Sequence, residues 1–169
     1  MMSADIAARL RAAVDDGLRL FATFDPVRTA QRPAAGGWCA REVVGHLIDS
    51  ACNNHRRFVV GQWSPDLVFT GYEQEEWVSA QRYRDLPWDD LVSLWSAYNR
   101  HLAHVIASAP DDVIARPKSP HNFDQILGEE FRRDQPQPLA TLMADYIVHL
   151  RHHLDQIRGI MTDHDEAAR

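Results

Sequence analysis

The chain has 169 residues, 45% of them hydrophobic and 25% charged, with 5 Trp, 6 Phe and 4 Tyr; this suits a single globular domain over residues 1–169 and excludes a disordered or fibrous chain. Its 18 Lys and Arg against 24 Asp and Glu give a formal charge of -6, which argues against nucleic acid or an anionic membrane surface as partner. Two isolated cysteines, Cys39 and Cys52, make no disulfide framework or zinc ribbon and fit a reducing cytoplasm, and no stretch has the charge-free apolar length of a signal peptide core or a membrane span.

Hydrophobic periodicity predicts four long helices separated by proline and glycine punctuation. The first runs from about Ala4 to Phe24, with Ile6, Leu10, Ala13, Val14, Leu18 and Phe21 on one face, and Asp25-Pro26 ends it. After a Pro- and Gly-containing loop and Trp38, the second carries the stripe Val44, Leu47, Ala51 and Phe58 and stops at Ser64-Pro65. A shorter helix is expected over Glu73 to Arg82. The third long helix opens at Pro87 and closes at Pro110, burying Leu91, Leu94, Trp95, Tyr98, Leu102, Val105 and Ile106. From Pro110 to Pro138 five prolines predict an extended crossover with at most a short strand or turn. The fourth helix starts near Pro138, with Leu142, Met143, Tyr146, Ile147, Leu150, Leu154, Ile157 and Met161 on its apolar side. With no alternating strands, the expected fold is an all-α four-helix bundle with a long loop between the third and fourth long helices, and its long connections weigh against simple up-down-up-down topology.

Nine histidines raise the question of a metal. His149 and His153 are four apart, about 40° around the helix axis, and so stack one turn apart on one face. This is the spacing by which one helix offers two imidazoles to a divalent ion, although the glutamate of the metalloprotease HExxH motif is absent. Both lie at a margin of the apolar stripe with Leu142, Tyr146 and Ile160, whereas His152 turns to the polar side. A third ligand must come from another helix. His46, bordering the second helix's stripe, leads; His101 and His104 on the third helix compete, and His55, His121, His152 and His164 are expected to be solvated. Asp145 and Gln156, near the pair, and Asp49, near His46, are placed to orient ligand rings. Asn53 and Arg57 continue the His46 face and are candidate substrate-binding groups for a carboxylate or other anion. Tyr72, Trp77, Trp88, Trp95 and Tyr98 are candidates for pocket walls, although aromatics at such spacing are commonly core.

The runs HLIDSACNNHRRF, GYEQEEW, WSAYNRH and DYIVHLRHHLDQI, in that order between Trp38 and Ile157, resemble the DinB-like superfamily, which includes the YfiT-like metal-dependent hydrolases. The resemblance implies a four-helix bundle holding one divalent ion, zinc or nickel, on His46, His149 and His153, with a fourth position for water or substrate and with a homodimer as one form. It also implies a small-molecule substrate and, by likeness to members that carry chemistry, a low-molecular-weight thiol as co-substrate in an S-transferase reaction on electrophiles. Two other readings stand beside it, a metal-dependent hydrolase and a nonenzymatic bundle with a structural ion. No residue is singled out as the catalytic acid or base.

Overall fold

The computed structural model describes the backbone of residues 1–167 and the side chains of residues 1–163. In chain order the elements are α1 (Met2–Phe21), α2 (Ala40–Val60), α3 (Gln74–Gln81), α4 (Trp88–Ser108), α5 (Asp111–Ala115), β1 (Pro117–Lys118), α6 (Phe123–Ile126), β2 (Gln137–Pro138) and α7 (Leu139–Ala167). The long helices α1, α2, α4 and α7 form the expected bundle. Each packs mainly on two others, α1 on α4 and α7, and α2 on the same two. Consecutive long helices α1 and α2 therefore stand at opposite corners, and so do α4 and α7, which only long connections permit.

Local chemistry sets the helix ends. In α2 the Glu42 carboxylate accepts the Cys39 N–H at 2.9 Å, closing the first turn. The first helix ends at Phe21 instead of Phe24, because Thr23 and Phe24 turn back through short bonds to Leu20 and Phe21 and the Thr23 hydroxyl competes for the Leu20 carbonyl at 2.7 Å. The N-terminus of α1 is capped from a distance. Asp111 accepts the Met2 N–H at 3.1 Å, the Ser3 N–H at 2.9 Å and the Ser3 hydroxyl at 2.7 Å, satisfying donors that a helix start leaves orphaned. These bonds hold the Asp111 carboxyl below its ordinary pKa. A depressed carboxylate stabilises the fold above its unfolded pKa and loses that contribution as pH falls through the folded one. Asp111→Ala is thus expected to lower the melting temperature at pH 7, and the gap to wild type should close below about pH 4; a gap independent of pH would show that the bonds to the carboxylate do not stabilise α1.

The core is aromatic at its centre. Trp95 is wholly buried and meets Phe21 edge-on at 5.1 Å, while Phe21 meets Trp88 at 5.2 Å. Trp88 and Trp95 are therefore core, and Trp77 lies at the surface. Leu94 was expected to be buried and is 51% exposed; the stripe of α4 centres on Leu91, Trp95, Leu102 and Ile106, leaving Leu94 beyond its edge.

The crossover between α4 and α7 is more ordered than a loop. Besides α5 and α6 it contains an antiparallel ribbon pairing Pro117 with Pro138 and Lys118 with Gln137. His121, expected to be solvated, is 3% exposed: its Nε2 donates to the Gln135 carbonyl at 2.9 Å and its Nδ1 accepts the Phe123 N–H at 3.2 Å, so it ties the crossover to itself. The crossover is also stitched to the segment between α2 and α3. Asn122 accepts the Phe69 N–H at 2.9 Å and donates to its carbonyl at 2.8 Å, and Lys118 donates to the Gly61 and Ser64 carbonyls, each at 2.7 Å. Among the described residues no helix is long and apolar enough to cross a membrane.

Candidate metal centre

The helices α2 and α7 run antiparallel, with Gly61 against Leu139 at one level and His46 against His149 at another. That alignment brings His46 to the pair on α7. The Nε2 atoms of His46 and His149 are 3.3 Å apart and those of His149 and His153 3.1 Å apart, and the three residues offer ring nitrogens all within 4.8 Å of one another. Gln156 Oε1 accepts the Nδ1–H of His153 at 2.7 Å, which leaves the His153 Nε2 with a lone pair facing its neighbours.

The donor set fits a divalent ion. Tetrahedral coordination with metal–nitrogen bonds of about 2.0–2.1 Å separates ligand nitrogens by about 3.3 Å, close to the spacings of this set, and three imidazoles suit zinc, nickel, copper or iron. The electrostatics agree. Burial lowers the pKa of His46 to about 4 and of His149 to about 3, each with a further contribution from His153, and burial lowers that of His153 as well. The rings are therefore neutral at pH 7, the form a metal requires. The Nδ1 atoms of His46 and His149 are buried without a hydrogen-bond partner; neither Asp49 nor Asp145 orients these rings as the sequence suggested, and of the three residues so proposed Gln156 alone does. Gln156→Ala is expected to weaken metal affinity by about 10-fold or more, read by competition with a chromophoric chelator; unchanged affinity would remove Gln156 from the site.

Aromatic rings wall the His46 imidazole, with Trp38 at 5.1 Å and Tyr72 at 6.5 Å. The close approach of Tyr83 to α2 is possible only because residue 45 is glycine: a Cβ there would lie 2.0 Å from the Tyr83 ring. The Tyr83 hydroxyl donates to Asp49 Oδ1 at 2.6 Å, and Gln81 Nε2 donates to the same oxygen at 2.7 Å. Asp49 thus fastens α2 to the end of α3 and to the segment after it.

Two recesses meet at the histidines. A cavity of about 350 Å³ is lined by His46 and His149 and extends past Ser50, Asn54 and Asp145 to Arg57. Its roof is Gln125, Ile126 and Leu127 from α6 and the residue after it. A second, more open cleft of about 700 Å³ is lined by His153 with Trp38, Arg32, Glu42 and Arg84, and Gln74 borders both. The sequence-predicted Arg57 borders the cavity, whereas Asn53 does not: its amide donates to the Asp49 carbonyl and it lines a smaller neighbouring cleft with Val68 and Phe69, which Arg57 borders as well. The amide in the cavity belongs to Asn54. His101 and His104 are exposed on α4, away from the set; His55 is half-buried beside Tyr98, His152 is exposed, and His164 lies outside the residues whose side chains are described.

The model of the DinB superfamily matches residues 9–157. Proteins named "Putative metal-dependent hydrolase" from Geobacillus thermodenitrificans and Bacillus mycoides are 26% and 29% identical over 125 and 126 residues, covering 74% of this chain and 65% of each relative. One from Oceanobacillus iheyensis is 25% identical over 127 residues, covering 75% of this chain and 66% of its own. The chain thus aligns with slightly under two thirds of these relatives' length. The solved structure of YfiT from Bacillus subtilis, described as "a probable metal-dependent hydrolase with an unusual four-helix bundle topology", superposes with a TM-score of 0.69 at 16% identity, covering 94% of this chain and 83% of that one. The fold is shared, and the match to the family model over most of the sequence settles the kinship: the chain belongs to the DinB superfamily.

Proposed function

We propose that the protein is a metal-dependent transferase that joins a low-molecular-weight thiol to an electrophilic small molecule, with zinc or nickel held by His46, His149 and His153. The observation that carries this reading is that two recesses border one donor set, one at His46 and His149 and the other at His153, room for two reactants to meet at one centre. When bound, the ion supplies Lewis acidity that favours the thiolate form of a thiol at its free position. The protein supplies the rest. Asp145, half-buried in the cavity wall, has its pKa raised by burial, with the Glu130 charge adding to it, which makes it a stronger base than an exposed aspartate. In the transfer the S–H bond breaks and its proton passes to the Asp145 carboxylate. A sulfur–carbon bond forms as the bond from that carbon to its leaving group breaks; a halide departs with the electron pair, whereas an epoxide oxygen stays on the product and takes back the proton from Asp145. Arg57 holds an anionic end of one reactant, and Ile126 and Leu127 of the roof limit water.

The test is a panel of bacillithiol, mycothiol and glutathione against halogenated and epoxide electrophiles with metal-loaded protein. Conjugation that requires both metal and thiol supports the reading; its absence across the panel overturns it. The names of the relatives favour a second reading, hydrolysis at the same histidines with Asp145 as base for water. It predicts thiol-free turnover of an ester or amide panel, and silence there with active conjugation would exclude it.

A further inference from the structure

Arg57 is only 8% exposed, yet its one hydrogen bond among the described residues is the donation from Nη2 to the Thr70 carbonyl at 3.2 Å. No aspartate or glutamate pairs with it among the described residues, and the nearby Tyr72 hydroxyl, its pKa pushed up to about 12 chiefly by burial, carries no charge at pH 7. A guanidinium withdrawn from water without a counter-ion is costly, and Arg has five donors of which one carbonyl uses little. It borders the same cavity as His46 and His149.

We propose that this cavity is a slot for an elongated monoanion whose carboxylate is held by Arg57 while its far end reaches the histidines. The proposal deepens the functional reading above by fixing the shape and charge of one substrate. Helix α2 sets the length. Eleven residues from His46 to Arg57 rise about 16 Å along the axis, and because both side chains lean toward the helix N-terminus but the arginine reaches further, the gap between guanidinium and imidazole shortens to about 12–14 Å. Ser50 and Asn54 stand at the intervening turns on the same cavity wall. Polar contacts at the two ends and one apolar wall between them, made by Leu142, Ile126 and Leu127, fit a linear chain with one terminal carboxylate. A compact or polyanionic ligand is a poor fit.

The experiment has two arms. In the first, metal-free protein is titrated calorimetrically at pH 7 with alkanoates from butanoate to decanoate and with the primary amides of the same lengths. Octanoate is expected to bind at least 10-fold more tightly than octanamide, the difference a charge-assisted contact supplies, with the advantage lost in Arg57→Met and partly kept in Arg57→Lys. In the second arm, cobalt-loaded protein is titrated with ω-mercaptoalkanoates and read by the thiolate-to-cobalt absorption. Affinity should peak at about six to eight carbons, whose extended chains together with the contacts at both ends span the gap of about 12–14 Å, and lose its length dependence in Arg57→Met. Equal binding of acid and amide by wild type overturns the proposal even if Arg57→Met does not fold, and so does an acid preference that survives in a folded Arg57→Met. If cobalt is not taken up while the acid preference stands, the metal reading falls and the anion slot remains. Thiol binding to cobalt without length or charge preference gives the converse.

Discussion

Replacing His149 with alanine is expected to abolish stoichiometric binding of a divalent ion. This ring contributes the middle nitrogen, 3.3 Å from that of His46 and 3.1 Å from that of His153, so its loss leaves two imidazoles on different helices with no shared neighbour. The fall in affinity should exceed the roughly 10–100-fold that losing an outer-shell partner costs. Two measurements check it. Elemental analysis should give about one ion per chain for wild type and none for His149→Ala. Thermal unfolding should show a metal-dependent gain in wild type, about 2.7 kcal/mol at 100 times the dissociation constant, and no gain in the variant. The metal-free variant should remain folded, because the imidazole makes no hydrogen bond outside the set. Retention of one ion by the folded variant would sink the three-histidine site and the proposed chemistry with it.

The second large effect is expected from a methyl group. In Gly45→Ala the new Cβ would lie 2.0 to 2.7 Å from three atoms of the Tyr83 ring. The ring cannot swing aside freely, since it is buried and its hydroxyl holds Asp49. Overpacking of this kind costs about 1–3 kcal/mol, and helix propensity returns at most about 1 kcal/mol of it. Because residue 45 precedes His46, the displacement of α2 should also weaken metal binding. Gly159→Ala is the control. Its Cβ meets nothing within 4 Å and it lies on the exposed face of α7, so there alanine should stabilise by about 0.5–1 kcal/mol. Urea unfolding of the two variants should give opposite signs; a shared sign would mean that Tyr83 does not define the α2 surface as described.

What could be read before any coordinates follows the range of each signal. His149 and His153 are fixed relative to each other by one helix, so spacing alone places them together, and His46 stood out because it borders a buried stripe. Asn53, which falls outside the cavity, is instructive. Residue 53 lies about 20° from His46 around the axis, whereas Ser50 and Asn54 lie about 40° and 80° to the other side. Which flank opens into a cavity is decided by how α7 packs, information absent from the periodicity of α2. The roof was beyond reach for a similar reason: Gln125, Ile126 and Leu127 arrive over the histidines only because Asn122 binds Phe69 and the Leu67 N–H donates to the Pro120 carbonyl, partners more than fifty residues apart. The helical stop at Phe21 and the burial of His121 likewise depend on individual hydrogen bonds that composition does not reveal.

The roof and the ligands belong to different kinds of structure. The histidines sit on two long helices whose antiparallel alignment tolerates no change of length between His46 and Phe58, since one inserted residue would turn the next by about 100°. The roof comes from a crossover held by a few polar contacts, where insertions and deletions are tolerated. Divergence among descendants of such a chain can therefore proceed in two registers: the reactive centre is inherited almost unaltered, while the ceiling above it is remodelled and the range of molecules admitted drifts. A laboratory library confined to residues 123–131 would sample that second register directly, trading one clientele for another without disturbing the ion.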